Sequence, residues 1–150
     1  MPEIGQAAPL FTLTDRDGNA RSLAEWRGKK VVLYFYPKDM TGGCTKHAVG
    51  FKELYPRFLE KGAVVVGVSP DGEASHGRFA DKYELPFILL SDPGRDVIRL
   101  YGAWGEKKSA GKMVTGVIRS AFLIGEDGTL LAALRGVKAS GNPREMLEML

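Results

Sequence analysis

Two long apolar runs dominate the pattern along the chain. Val31 to Tyr36 and Ala63 to Val68 are nearly continuous and rich in β-branched and aromatic residues, which predicts strands buried on both faces. Between them Ala48, Val49, Phe51, Leu54, Tyr55, Phe58 and Leu59 recur at helical spacing. That spacing predicts a helix from Thr45 to about Glu60, kinked at Pro56 and stopped by Gly62. Further on, Glu73 to Tyr83 reads as a helix, Phe87 to Leu90 as a short strand and Asp96 to Tyr101 as another helix. Ser120 to Ile124 and Leu130 to Leu134 flank Gly125-Glu126-Asp127-Gly128 as a hairpin.

The ends obey the same rules. Phe11 to Leu13 and Ala20 to Ser22 enclose Asp15-Arg16-Asp17-Gly18-Asn19, a strong turn signal, and predict a small N-terminal hairpin. Leu23 to Trp26 looks like a short helical turn ending near Gly28, and Gly102 to Gly116 a glycine-rich loop with a strand near Met113–Val117. Asn142-Pro143 offers an N-cap and a first-turn proline for a terminal helix. The order is strand, helix, strand, helix, then an antiparallel hairpin and a last helix. This predicts an α/β thioredoxin-like fold: a central mixed β-sheet flanked by helices, with an N-terminal β-hairpin.

At 150 residues the chain suits one domain, taken as 1–150, since no repeat, linker or low-complexity tract divides it. Hydrophobic residues at 44% and charged residues at 26% are those of a soluble globule. A net charge of +3 lies in isolated pairs such as Lys29-Lys30 and Lys107-Lys108, read as solvated surface, so nucleic-acid binding has no support. No apolar run approaches a membrane span, and the N-terminus lacks a signal-peptide pattern. The single cysteine rules out a disulfide framework, and the expected location is the reducing cytoplasm.

That cysteine is Cys44. A lone cysteine is usually a small buried hydrophobe. Its setting argues otherwise: it comes after an apolar strand and a Pro/Gly-rich turn and opens a helix, with Gly42 and Gly43 before it and polar Thr41 and Thr45 around it. A helix N-terminus presents unpaired N–H groups and partial positive charge that favour a thiolate.

Pro37, Thr41 and Cys44 fit the pattern Pro-x-x-x-Thr-x-x-Cys, and the chain here resembles the peroxiredoxins. Tyr34-Phe35-Tyr36-Pro37-Lys38-Asp39, Gly43-Cys44-Thr45, Val68-Ser69-Pro70-Asp71, Ser75-His76, Leu90-Ser91-Asp92-Pro93 and Arg119-Ser120 resemble the bacterioferritin comigratory protein (PrxQ) subfamily from about Ile4 to Leu150. Two positions depart from that pattern. Gly42 stands where the subfamily usually has proline, and Val49 where many members carry a resolving cysteine. Other members place that cysteine in the next helix, and Glu73 to Tyr83 has none, so the chain resembles the one-cysteine type.

The resemblance implies a thiol-dependent peroxidase acting through a Cys44 sulfenic acid. Thr41 would orient the hydroperoxide, and Gly43 and Cys44 would supply backbone donors to the departing oxygen. Pro37 would shield the turn, and Arg119 would pair with the thiolate and then with the developing charge. The implied partners are a peroxide and an external thiol, either thioredoxin or glutaredoxin with glutathione. Monomer is the default, and neither a cofactor nor a metal is implied. His47, three residues after Cys44, can face the thiol, although the ordinary reading is a solvated helix residue; His76 caps or packs. The competing reading is a redox-sensing binding protein that captures partners through oxidised Cys44. A thioredoxin-type disulfide reductase needs a Cys-x-x-Cys pair and is excluded.

Overall fold

The computed structural model describes residues 2–150. In chain order the strands are β1 (Thr12–Thr14), β2 (Ala20–Ser22), β3 (Lys30–Phe35), β4 (Ala63–Ser69), β5 (Ile88–Ser91), β6 (Trp104–Ser109), β7 (Lys112–Val117), β8 (Ser120–Ile124) and β9 (Leu130–Arg135). The helices are α1 (Gly42–Glu60), α2 (Glu73–Tyr83), α3 (Asp96–Leu100) and α4 (Asn142–Glu148), and Leu23–Trp26 forms one 3-10 turn.

The two apolar runs lie side by side at the centre, as their composition requires. β3 pairs with β4 in parallel, Val31 opposite Val64 through Phe35 opposite Val68, and β4 continues in parallel to β5. On its other edge β3 meets β8 antiparallel, and β8 turns back into β9. The N-terminal hairpin β1–β2 adds to β5, giving a seven-stranded mixed sheet in the order β2-β1-β5-β4-β3-β8-β9. With helices on both faces, this is the thioredoxin-like arrangement predicted from the element order.

Alternation along β3 divides the core in two. Val31, Leu33 and Phe35 face a cluster with Phe11, Trp26, Ile98, Tyr101 and Phe122. Val32, Tyr34 and Tyr36 face the opposite cluster, built by Ala48, Phe51 and Phe58 of α1, Phe79 of α2 and Met146 and Leu147 of α4. Tyr34 stacks on Phe51 with ring centroids 4.7 Å apart, and this column is possible only because β4 carries Gly67 beneath it. A Cβ at Gly67 would lie 2.8 Å from Tyr34 Cζ and 2.9 Å from Leu89 Cδ2.

Two expectations are corrected. Gly102 to Gly116 is not mainly a loop: β6 and β7 form a two-stranded hairpin outside the main sheet. Its turn, Ala110-Gly111, holds φ of 51° and 80°, the paired positive values of a type I′ turn, but without the Asn-Gly signature. At the last helix Gly141 holds the cap position, and Asn142 lies inside the first turn with its side chain turned elsewhere.

Gly67→Ala is expected to destabilise the protein by about 1–3 kcal/mol, the usual cost of forcing atoms into a packed core. The shift in the urea unfolding midpoint relative to wild type measures it.

Candidate active site

The chain leaves β3 at its C-terminal end and needs only a short loop to reach α1. Tyr36 N–H still donates to Val68 O at 3.0 Å, and Pro37, which has no N–H, ends the pairing. Asp39 anchors this loop. Its carboxylate accepts Tyr36 Oη–H at 2.6 Å and Ser75 Oγ–H at 2.7 Å, and it lies 2.7 Å from His76 Nδ1. His76 Nε2 is 2.9 Å from Leu90 O, so both ring nitrogens face acceptors. Burial alone would raise the Asp39 carboxyl, but His76, Tyr36 and Ser75 outweigh it and hold the group below its ordinary value. The loop is thereby stapled to α2, and Met40 absorbs the turn with φ 68°.

Thr41 then caps α1. Its Oγ1 accepts from Cys44 N–H at 3.4 Å while its own proton goes to Lys38 O at 3.1 Å. The cap starts the helix at Gly42, three residues before the apolar spacing predicted, because a capping side chain rather than helix propensity sets the boundary. Cys44 N–H is therefore engaged, while Gly43 N–H, among the first donors of the helix, has no partner within it. Pro56 lies on the exposed side of α1, which continues past it to Glu60.

Cys44 is 1% exposed although Thr41, Gly42 and Gly43 beside it are all solvent-facing. The sulfur points inward and meets Arg119. That residue lies between β7 and β8, its carbonyl pinned by the N–H groups of Gly136 and Val137 at 2.9 and 3.0 Å. Arg119 Nη2 donates to Cys44 Sγ at 3.2 Å. A Cβ on Gly43 would come within 3.2 Å of the same Nη2, so the glycine leaves room for the guanidinium.

The residues behind this pair lie deeper than their sequence context predicts. His47 is fully buried, not solvated. Its Nδ1 accepts from Arg119 Nη1 at 3.1 Å and its Nε2 lies 2.8 Å from Asn142 Oδ1. Burial pushes the imidazole down to about 3; the Asn142 bond opposes this, and the charge of Arg119 adds to it. The stripe Cys44, His47, Ala48, Phe51 was the available signal, since it sets His47 on the buried face of α1. Lys107, read as surface, donates to Val117 O at 2.6 Å. Burial lowers it, Arg119 adds to that, and Cys44 opposes, so it shares the field of the site. Pro37 is half-buried at the start of the loop.

An open groove of about 550 Å³ between β9 and α4, lined by Arg135, Lys138, Asn142 and Glu145, includes none of Cys44, Thr41 and Arg119. Among the described residues no cluster of His, Cys, Asp and Glu could hold a metal ion, and no helix is long and apolar enough to cross a membrane.

The thiol at the capped start of α1 thus lies against an arginine from the short link ahead of β8. The family model of the AhpC/TSA family matches residues 4–133. The chain is a peroxiredoxin of that family. The protein is thus a thiol peroxidase, an oxidoreductase, and its similarity runs to the Bcp/PrxQ members. Peroxiredoxin Bcp of Bacillus subtilis is 43% identical over 148 residues, 99% of this chain and 94% of the relative. A cysteine-to-serine mutant of the PrxQ of Xylella fastidiosa superposes with a TM-score of 0.92 at 32% identity, covering 99% of this chain and 95% of that one. The bacterioferritin comigratory protein of Xanthomonas campestris, described for alkyl peroxide reduction, gives 0.86 at 36% identity, covering 93% and 88%. This peroxiredoxin carries one cysteine, Cys44.

The buried His47 makes stability depend on pH with a definite sign. Its folded value of about 3 lies below the ordinary 6.5, so between the two the unfolded chain binds the extra proton. Stability from this group is complete above 6.5 and is lost as pH falls toward 3, at up to about 1.4 kcal/mol per pH unit. Urea unfolding at pH 6.5, 5.5 and 4.5 should show a steeper decline for wild type than for His47→Gln, which does not titrate.

Proposed function

We propose that this peroxiredoxin reduces hydrogen peroxide and small organic hydroperoxides through a sulfenic acid on Cys44, which an outside thiol returns to the resting state. The observation that carries the reading is the 3.2 Å bond from Arg119 Nη2 to a sulfur that has no second cysteine in the chain. The Cys44 thiolate attacks the hydroxyl oxygen of the peroxide. An S–O bond forms, the O–O bond breaks and the departing alkoxide takes a proton to become alcohol or water. Sulfur is oxidised by two electrons and the peroxide is reduced by two. One external thiol then displaces water to give a mixed disulfide, and a second releases Cys44.

The roles come from donor and acceptor accounting. Thr41 gives its proton to Lys38 O, which leaves Oγ1 as an acceptor for the hydroperoxide O–H. Arg119 keeps a donor on the sulfur and carries charge for the developing oxyanion. The Gly43 N–H is free to join it, while that of Cys44 must be shared with Thr41. Pro37 shields the turn from the β3 side. Because Cys44 is 1% exposed, a peroxide of a few atoms can be admitted by small movements, whereas a bulkier thiol needs the first turn of α1 to open. Thioredoxin and glutaredoxin with glutathione are the candidate reductants for a single-domain monomer in the cytoplasm.

Thr41→Val should keep the fold and slow peroxide oxidation of Cys44 by about 10²-fold, as loss of a positioned hydroxyl does. Stopped-flow oxidation rates measure this, and an unchanged rate would make Thr41 a cap alone.

After one equivalent of peroxide without reductant, intact-mass analysis should show an adduct of about 16 Da, trappable by a dimedone-type reagent; excess peroxide should drive it to sulfinic and sulfonic acids. A protein that consumes peroxide without either product would remove the sulfenic route.

A further inference from the structure

Arg119 is flexible by nature, and the sulfur alone does not fix its fork. The Nη1 arm is held by His47 Nδ1 at 3.1 Å, and His47 Nε2 is held in turn by Asn142 Oδ1 at 2.8 Å. Asn142 Nδ2 donates onward to Glu145 Oε1 at 3.1 Å. A continuous chain of hydrogen bonds therefore runs from α4 through α1 to the thiol. Its directions are forced: a guanidinium only donates, so Nδ1 must accept and Nε2 must carry the proton. Asn142 then accepts with Oδ1 and donates with Nδ2. The ring itself is locked between Tyr34 and Phe51, with centroids 4.6 and 5.1 Å away.

Backbone packing sets the reach. Gly50, one turn beyond His47, lies under the ring of Pro143, and a Cβ there would stand 2.8 Å from Pro143 Cγ. The missing side chain lets the start of α4 settle on α1, which brings Asn142 to His47.

We propose that His47 and Asn142 are positioning residues that aim Arg119 at Cys44, so that the docking of α4 sets the rate at which the thiol reacts with peroxide. The proposal rests on the peroxidase reading of Cys44. A neutral imidazole suits this task better than a carboxylate. It fixes one arm of the guanidinium without pairing off its charge, which stays available to the sulfur and the leaving oxygen.

The charged and titratable groups around His47 are few: the Cys44 sulfur on α1, Arg119 ahead of β8, Tyr34 from β3, and Glu145 of α4 behind Asn142. Asn142→Asp keeps the shape but sets a carboxylate against Nε2–H. That favours the doubly protonated ring, whose new Nδ1–H opposes the Arg119 donor.

The test measures the second-order oxidation of Cys44 by hydrogen peroxide from pH 5 to 9, using quenched samples and intact mass. Asn142→Asp should be slowed about tenfold or more at low pH and recover with rising pH through a step absent from wild type. His47→Leu should slow wild type about tenfold yet change an Arg119→Met background by less than about twofold, because it acts through that arginine. His47→Gln, which keeps an acceptor for Arg119 and a donor for Asn142, should recover most of the loss. Equal factors for His47→Leu in both backgrounds, an Asn142→Asp profile parallel to wild type, or a Gln variant no faster than Leu overturns the relay. Those failures leave the peroxidase reading standing, whereas a wild type inert to peroxide removes both.

Discussion

A guanidinium 3.2 Å from a buried sulfur is the contact around which this molecule is arranged, and it joins residues 75 positions apart. No local propensity can bring them together. The contact exists because β3 and β8 pair antiparallel, Phe35 opposite Ser120, which sets the residue before β8 beside the loop at the end of β3. The helix start delivers the sulfur and the link ahead of β8 delivers the cation. Each is rigid for its own reason: Thr41 caps one, and the N–H groups of Gly136 and Val137 hold the other. Placing a charged group beside a reacting atom in a dry setting is the arrangement in which electrostatic stabilisation is strongest.

Polar groups hold the two halves of the site separately. Asp39 ties the loop between β3 and α1 to α2 through Ser75 and His76, while His47 and Asn142 tie the arginine to α4. Buried polar groups are costly unless every member finds a partner, and once satisfied they select one geometry. Among the described residues Tyr34 is one exception, beside Ser91 Oγ, Arg95 Nε and Arg135 Nε. The Tyr34 hydroxyl has no partner although the ring lies at the centre of the aromatic column, and burial keeps it protonated by pushing its ionisation well up.

Most of the architecture is legible in the sequence because its signals are local. Continuous apolar runs mark the central strands, and helical spacing marks α1 and α2, with the bounds of α2 read residue for residue. The β6–β7 hairpin escapes because of its surroundings. It stands off the main sheet, only Val117 among its strand residues is buried, and neither face imposes alternation. Cys44, Thr41 and Arg119 can be singled out from motif resemblance. The partners of the supporting shell cannot: helical spacing sets His47 on the buried face of α1, but its pairing with Asn142 exists only where α1 and α4 cross. Asn142 has the look of a cap from its place before proline, and the same amide instead serves a partner 95 residues away.

Gly50 carries this lesson furthest. It touches no peroxide, donates no side-chain hydrogen bond and bears no charge, yet the spacing between two helices is written there as the absence of a methyl group. The contact between His47 and Asn142 thus depends on a residue that chemistry-based searches pass over. A relative that kept Cys44, Thr41 and Arg119 but filled position 50 would keep those three side chains and set a Cβ 2.8 Å from Pro143 Cγ, so that α4 could not sit on α1 as it does here. For anyone transplanting this site onto another scaffold, the empty space beneath Pro143 belongs on the parts list alongside the thiol.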